Sequence, residues 1–171
     1  MRTERDSINV RVADLAGPDN ATVSRLVEEY LKRTEFEKAR FLGQRTVEAD
    51  LPMRYRSEVE DPSRAYENAS VYLGELNDVP VGVVVVRHGV AAREIKRVWV
   101  DPKARGHRVG SALIDAAVRQ RDLPLRLSVW EWREDAVKLY RKRGFIPVVP
   151  WDDRPRLLCM ELREVPAAGV R

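Results

Sequence analysis

One run of the chain constrains its topology more than any other. An apolar strand from Arg93 to Val100 leads through the turn Arg105-Gly-His-Arg-Val-Gly110 into a helix, and Pro124 then opens a second apolar strand from Leu125 to Trp130. A strand–helix–strand unit in one sheet closes with a single favoured hand, so the second strand is expected to lie parallel to the first. Val109, Ala112, Leu113, Ala116 and Ala117 form the apolar stripe that holds the intervening helix to the sheet. The start of that helix presents unpaired backbone N–H groups and the positive end of the helix dipole, a place suited to an anion such as a pyrophosphate. The plainer reading is that Gly106 and Gly110 only shape a surface turn.

Spacing weakens two familiar nucleotide motifs. A P-loop needs four residues between its glycines and then Gly-Lys-Ser/Thr, whereas three separate Gly106 from Gly110 and Ser-Ala follows. A dinucleotide fingerprint needs G-x-G-x-x-G directly after the strand and an acidic residue one βαβ unit on, which is also missing. The turn instead resembles the R/Q-x-x-G-x-G/A signature of the GNAT family of N-acetyltransferases, with a V-x-P just upstream. Arg105 and Gly110 match the signature, and Arg108 stands in place of its middle glycine. The resemblance implies that Val98, Trp99, Val100, Arg105, Gly106, His107, Arg108, Val109, Gly110 and Ser111 bind acetyl-CoA, with the pyrophosphate on the turn. A guanidinium at 108 adds charge for phosphate while giving up the close approach of a glycine.

A second match lies some thirty residues on. Ala136-Val-Lys-Leu139-Tyr140-Arg-Lys-Arg-Gly144-Phe145 resembles the family's A-x-x-L-Y-x-x-x-G-F. Ala136 and Tyr140 share a helix face, and Gly144 is placed to end that helix. The resemblance implies that Tyr140 protonates the departing coenzyme A thiolate, a role that suits a phenol with an ordinary pKa near 10. A half-buried core tyrosine is the alternative. Three residues before Ala136, where the family often has asparagine, this chain has Arg133.

Strand parity gives a third sign. Val98 and Val100 share one face of their strand, while Ile95 falls on the other, and a bulge between Ile95 and Val98 would restore one buried face. In the family such a strand offers amides to the pantetheine arm and to the acetyl carbonyl oxygen, a form of oxyanion stabilisation. The alternative is a regular strand with Ile95 packed on the opposite face. An attacking amine must lose a proton, and the family often uses a glutamate just before this strand's apolar stretch, which makes Glu94 a candidate base. A solvated carboxylate paired with Lys96 or Arg97 explains it equally. Glu131, between Trp130 and Trp132, is the competing base, because aromatic neighbours raise a carboxylate's pKa by desolvation. Between the last two strands, Trp151, Asp152 and Asp153 could hold a cationic amine, or simply form a solvated turn.

The order of elements agrees with the resemblance. A strand at Ile8 to Val12 precedes a helix started by Gly17-Pro-Asp-Asn20 and carrying Val23, Leu26, Val27, Tyr30 and Leu31 on one face. Thr34 to Pro62 reads as helical in parts and broken near Pro52, with sparse apolar positions at Val47, Leu51, Tyr55 and Val59. Val71 to Leu76 and Val81 to Arg87 flank Asn77-Asp78 as a hairpin. Strands at Phe145 to Val149 and Arg156 to Arg163 follow the Tyr140 helix. The expected fold class is α/β (α+β): a single GNAT domain over 1–165, with a mixed sheet of about seven strands in the order β-α-α-β-β-β-α-β-α-β-β, and a loose tail at 166–171.

A chain of 171 residues with 44% hydrophobic content suits one core. The net charge of +4 raises a nucleic-acid reading, but acidic residues are interspersed throughout and a basic rim suits coenzyme A equally well. Cys159, the single cysteine, sits in an apolar run and is expected to be a buried thiol. The N-terminus lacks a signal peptide's apolar region, so a soluble, cytoplasmic protein is expected. Together these readings predict an acetyl-CoA-dependent N-acetyltransferase acting on the primary amine of a small molecule, as monomer or homodimer, with no metal, nucleic acid or membrane partner. A protein N-terminal or lysine acetyltransferase, or a silent coenzyme A-binding module, are the alternatives.

Overall fold

The computed structural model describes residues 6–44, 51–119 and 124–163. Val47, the domain limit at 165 and the tail at 166–171 lie outside them. Seven strands form one mixed sheet in the order β1-β2-β3-β4-β5-β7-β6: β1 Ile8–Val12, β2 Ala69–Leu76, β3 Val79–His88, β4 Arg93–Val100, β5 Leu125–Trp130, β6 Ile146–Pro147 and β7 Leu157–Leu162. Helices α1 (Asp19–Leu42), α2 (Met53–Glu60) and the single turn α3 (Pro62–Ala65) precede β2, whereas α4 (Val109–Arg119) and α5 (Glu134–Lys142) bracket β5. β2 and β3 are joined by Asn77 and Asp78, at φ 51° and 63°, the left-handed pair that matches the twist of a hairpin.

Both faces of the sheet are covered, and strand parity divides the core between them. Leu73, Val83, Val85 and Trp99 pack under α1, while Tyr72, Val84, Val86 and Ile95 pack under α4 and α5. That is why β3 reads as the unbroken apolar run Val83-Val-Val-Val86 rather than an alternation. Opposite Val84, β4 has two residues, Arg97 and Val98, with Arg97 at φ 53°. This is the expected bulge. It returns Ile95, Val98 and Val100 to the α4 side and turns Arg97 and Trp99 toward α1.

Two further features position the site. Gly74 and Gly82 are cross-strand partners beneath α4; a Cβ on Gly74 would lie 2.7 Å from Val109 Cγ1, and one on Gly82 2.9 Å from Leu113 Cδ1. The helix therefore sits directly on the backbone of the sheet. Its fully buried Val109, Leu113 and Ile114 each contribute about 1.5–3 kcal/mol of burial. The second feature is a split. β4 and β5 run parallel, as the crossover requires, but pair only through Arg93↔Leu125, Glu94↔Arg126 and Ile95↔Leu127. Past these the strands share no ladder, although β5 stays paired with β7 to its end.

The structure departs from expectation at the ends of elements. α1 continues through the charged stretch to Leu42, carried by the pairs Arg33–Glu37 and Lys38–Glu35 and closed by Gly43 at φ 64°. α2 begins directly after Pro52. The strand expected over Phe145 to Val149 keeps only Ile146 and Pro147, with Phe145 sunk into the core instead; Pro147 has no N–H to extend the ladder.

Candidate active site

The split between β4 and β5 opens an inner cleft of about 150 Å³, walled by Ile95–Val98 of one strand and Leu127–Trp130 of the other. It adjoins an outer groove of about 880 Å³ that runs over the start of α4. Val98, Arg133, Ala136 and Leu139 line both, so the two lie side by side.

The residues expected to hold the cofactor converge on the outer groove. Val98, Trp99, Val100, Arg105, Gly106, Arg108, Val109, Gly110 and Ser111 all line it. His107 does not; its Nδ1 lies 2.6 Å from Asp6 Oδ2. Arg105 is oriented by donating from Nε to the Val100 carbonyl at 3.3 Å and by lying 4.9 Å over the Trp99 ring. Gly106 and Arg108 take φ of 87° and 65°, so Arg108 holds a left-handed backbone in which glycine is the easier occupant.

Gly110 tests whether these residues fit a pyrophosphate. A Cβ there meets only Val100 Cγ2, at an ordinary 3.6 Å, and its φ is not positive. Neither packing nor backbone strain requires glycine, whereas an anion drawn close to the helix N–H groups does. Gly110→Ala is therefore expected to hold or raise the melting temperature, by up to about 1 kcal/mol of helix propensity. The same variant should weaken acetyl-CoA binding about tenfold, or about 1.4 kcal/mol. Calorimetric titration beside a thermal melt reads both, and unchanged affinity would reject the close-approach role.

Tyr140 is locked by the end of its own helix. Phe145 N–H donates to the Tyr140 carbonyl at 3.1 Å and Gly144 N–H to that of Arg141 at 3.0 Å, with Gly144 at φ 90°. This is a Schellman motif, and its usual apolar contact is present as the Tyr140 and Phe145 rings, edge to face at 5.9 Å. The Gly-Phe pair after the tyrosine thus fixes the ring that lines the cleft. Among the described residues none takes up the Tyr140 hydroxyl. Burial raises its pKa well above the ordinary phenol value, nearby Tyr30 adds to this, and Arg133 offsets only part.

Several cleft residues escaped the sequence. Tyr30 lies between the guanidiniums of Arg97 and Arg133, 5.7 and 5.2 Å from its ring centre, with Trp99 edge-on at 6.5 Å. Burial would raise the Tyr30 phenol, but Arg133 and Arg97 outweigh it and the net direction is down. Arg97, turned inward by the bulge, donates from Nε and Nη2 to Glu58 at 2.6 and 2.7 Å, and Tyr66 donates to the same carboxylate at 2.8 Å. Arg133 donates to Glu37 and to Thr34 Oγ1, each at 2.8 Å, tying the start of α5 to α1. The available signal was the α1 stripe: Thr34 and Lys38 continue the face of Tyr30 and Leu31 and are buried.

The expected bases and substrate residues stand apart from these two cavities. Glu94 lines neither cavity and has Lys96 Nζ at 3.6 Å. Glu131 lines neither and forms an ion pair with Arg156. Trp151, Asp152 and Asp153 share a shallow surface hollow. There Arg154 is bonded to Asp152, pulling its carboxyl down to about 2, and Arg126 covers the Trp151 ring at 4.9 Å. The aromatic face and one carboxylate offered for an external cation are thus taken by the chain's own arginines. Cys159 is buried in β7 and borders neither cavity.

A cleft between diverging parallel strands, beside an anion-suited helix start, is the frame of an acetyltransferase fold. Residues 67–147 match the family model described as the acetyltransferase (GNAT) domain. Solved structures share the architecture at low identity. An acetyltransferase from Streptococcus agalactiae superposes with a TM-score of 0.67 at 14% identity, covering 92% of this chain and 98% of that one. The yncA protein of Salmonella typhimurium, solved with its cofactor acetyl-CoA, gives 0.60 at 20% identity over 95% and 96%. The PaiA N-acetyltransferase of Thermoplasma acidophilum, in complex with coenzyme A, gives 0.64 at 16% over 92% and 99%. No curated protein sequence matches the chain. No helix among the described residues is long and apolar enough to cross a membrane.

Proposed function

We propose that the protein transfers the acetyl group of acetyl-CoA to the primary amine of a small molecule by direct attack, with no acyl-enzyme. The observation that carries this reading is Tyr140: a buried phenol with no described partner, locked into the cleft where it meets the cofactor groove. Bound acetyl-CoA supplies the thioester. The turn from Arg105 to Ser111 holds its pyrophosphate, through backbone N–H groups of the helix start and the Arg105 and Arg108 guanidiniums. The part of β4 that shares no ladder with β5, Lys96–Val100, would hold the pantetheine arm and supply a backbone N–H to polarise the acetyl carbonyl. Tyr140 Oη holds the proton that the sulfur needs on leaving.

Nucleophilic relay through the protein has no support in the side chains. Cys159 is on neither wall, His88 is 2.9 Å from Ser70 Oγ, and His107 is bonded at Asp6. For the acceptor's proton Glu94 is favoured over Glu131. It adjoins the wall residues Ile95 and Lys96, and would take the proton through water. A cytoplasmic setting, with Cys159 kept as a thiol, fits this reading.

An amine panel assayed by thiol release is the direct test, accompanied by melting with acetyl-CoA. At about 100 times Kd the cofactor should stabilise by about 2.7 kcal/mol, or about 5–11 °C for a chain of this size. Stabilisation without thiol release from any amine would identify a silent binding module. No stabilisation at all would remove the cofactor assignment.

A further inference from the structure

The geometry points to an acceptor that carries an anionic group, a carboxylate or a phosphate, beside its amine, with Lys96, Arg97 and Arg154 receiving that group. This rests on the acetyl-transfer reading above. Among the described residues, the charged ones on the wall of the inner cleft are Lys38, Lys96, Arg97, Arg133 and Arg154, with no aspartate or glutamate. A polyamine or a lysine-rich peptide would bring further positive charge to a wall on which no described residue offers a carboxylate. Charge of that sign, facing like charge in a partly desolvated site, is disfavoured.

The cations are not equally free. Lys38 is buried and held by Glu35 at 2.9 Å, and Arg133 is spent on Glu37 and Thr34. Arg97 commits Nε and Nη2 to Glu58, and Arg154 commits the same two atoms to Asp152; among the described residues none takes up Nη1 of either. The carboxylate behind each arginine fixes its plane and leaves one edge for a second anion. Tyr55 supports this for Arg97, at 5.4 Å, and Trp130 for Arg154, at 5.6 Å. Lys96 is the least committed, since its one partner among the described residues, Glu94, is 3.6 Å away and beyond hydrogen-bond distance. The three therefore present donors to the cleft from two directions, β4 and the segment before β7.

Matched acceptors that differ only in the anion test this: free α-amino acids against their carboxamides, and glucosamine 6-phosphate against glucosamine, with spermidine as the cationic comparison. The anionic member of at least one pair should show about tenfold to hundredfold higher kcat/KM, the worth of one charge-assisted hydrogen bond, and the pair that responds identifies carboxylate or phosphate. Lys96→Met should raise KM for that acceptor about tenfold and abolish the preference for it over its neutral partner. Equal or better turnover of the neutral members or of spermidine overturns the inference while leaving acetyl transfer intact. If no amine is turned over, the acetyl-transfer reading fails, and melting in the presence of coenzyme A then decides this one. Stabilisation by an anionic member but not its neutral partner upholds the anion site, and stabilisation by neither overturns it.

Discussion

Replacing Tyr140 with phenylalanine is expected to lower kcat by about 10²- to 10⁴-fold, the usual worth of a positioned general acid, with KM for acetyl-CoA and the melting temperature almost unchanged. The separation follows from what holds the residue. Its ring packs on Phe145 and its backbone carbonyl closes the Schellman motif, and phenylalanine keeps both. Its hydroxyl has no partner among the described residues, so its removal leaves no buried group stranded. In the proposed role the acid form does the work, and burial together with Tyr30 moves the phenol above its ordinary value of 10.0. Activity should therefore show no Tyr140-dependent loss until pH rises beyond 10. Steady-state thiol release with a thermal melt checks the prediction, and a kcat within threefold of the parent protein would remove Tyr140 from the chemistry.

Glu58→Ala should produce the largest loss of stability, about 3–5 kcal/mol, because it leaves Arg97 as an uncompensated buried charge. For a chain of this length that is a fall of about 6–20 °C in melting temperature. Glu58 and Arg97 side chains are only 9% and 16% exposed, and the Tyr66 hydroxyl loses its acceptor too. The pH dependence has a definite sign. Burial pushes the Glu58 carboxyl up, but the hydrogen bonds and charge of Arg97 pull it further down, so the folded pKa lies below the ordinary 4.5. The contribution is fully present above the unfolded value and is lost as pH falls through the folded one. Melting temperature should thus be insensitive to this pair from pH 7 to 5 and decline below about 4.5. Glu58→Gln, which keeps shape and an acceptor oxygen, should cost less. Equal stability of the alanine variant at pH 7 would show that Arg97 finds another partner.

What the sequence disclosed was local. Parity along β4 exposed the bulge, because Ile95 and Val98 cannot otherwise share a face, and the spacing of Tyr140, Gly144 and Phe145 already contained the helix end that fixes the ring. The strand–turn–helix run gave the groove residues, His107 excepted. Contacts between distant segments were not legible. Arg97 meets Glu58 across 39 residues and Arg133 meets Glu37 across 96. On a helix read alone, such carboxylates look like the solvated side. For the same reason neither Arg126 over Trp151 nor the folding of Arg154 back on Asp152 is visible from an aromatic beside two acids. The extent of the divergence between β4 and β5 was equally hidden, because both strands remain apolar past their last shared rung.

The facing glycines beneath α4 give this arrangement a lever. Each leaves less clearance than a methyl group needs, with valine and leucine side chains of the helix already in the space. The height of the anion turn above the sheet is set by two hydrogen atoms that no ligand ever meets. A phosphate held there as proposed would have its affinity tuned from the far side of a helix, by two positions in a hairpin that it does not touch.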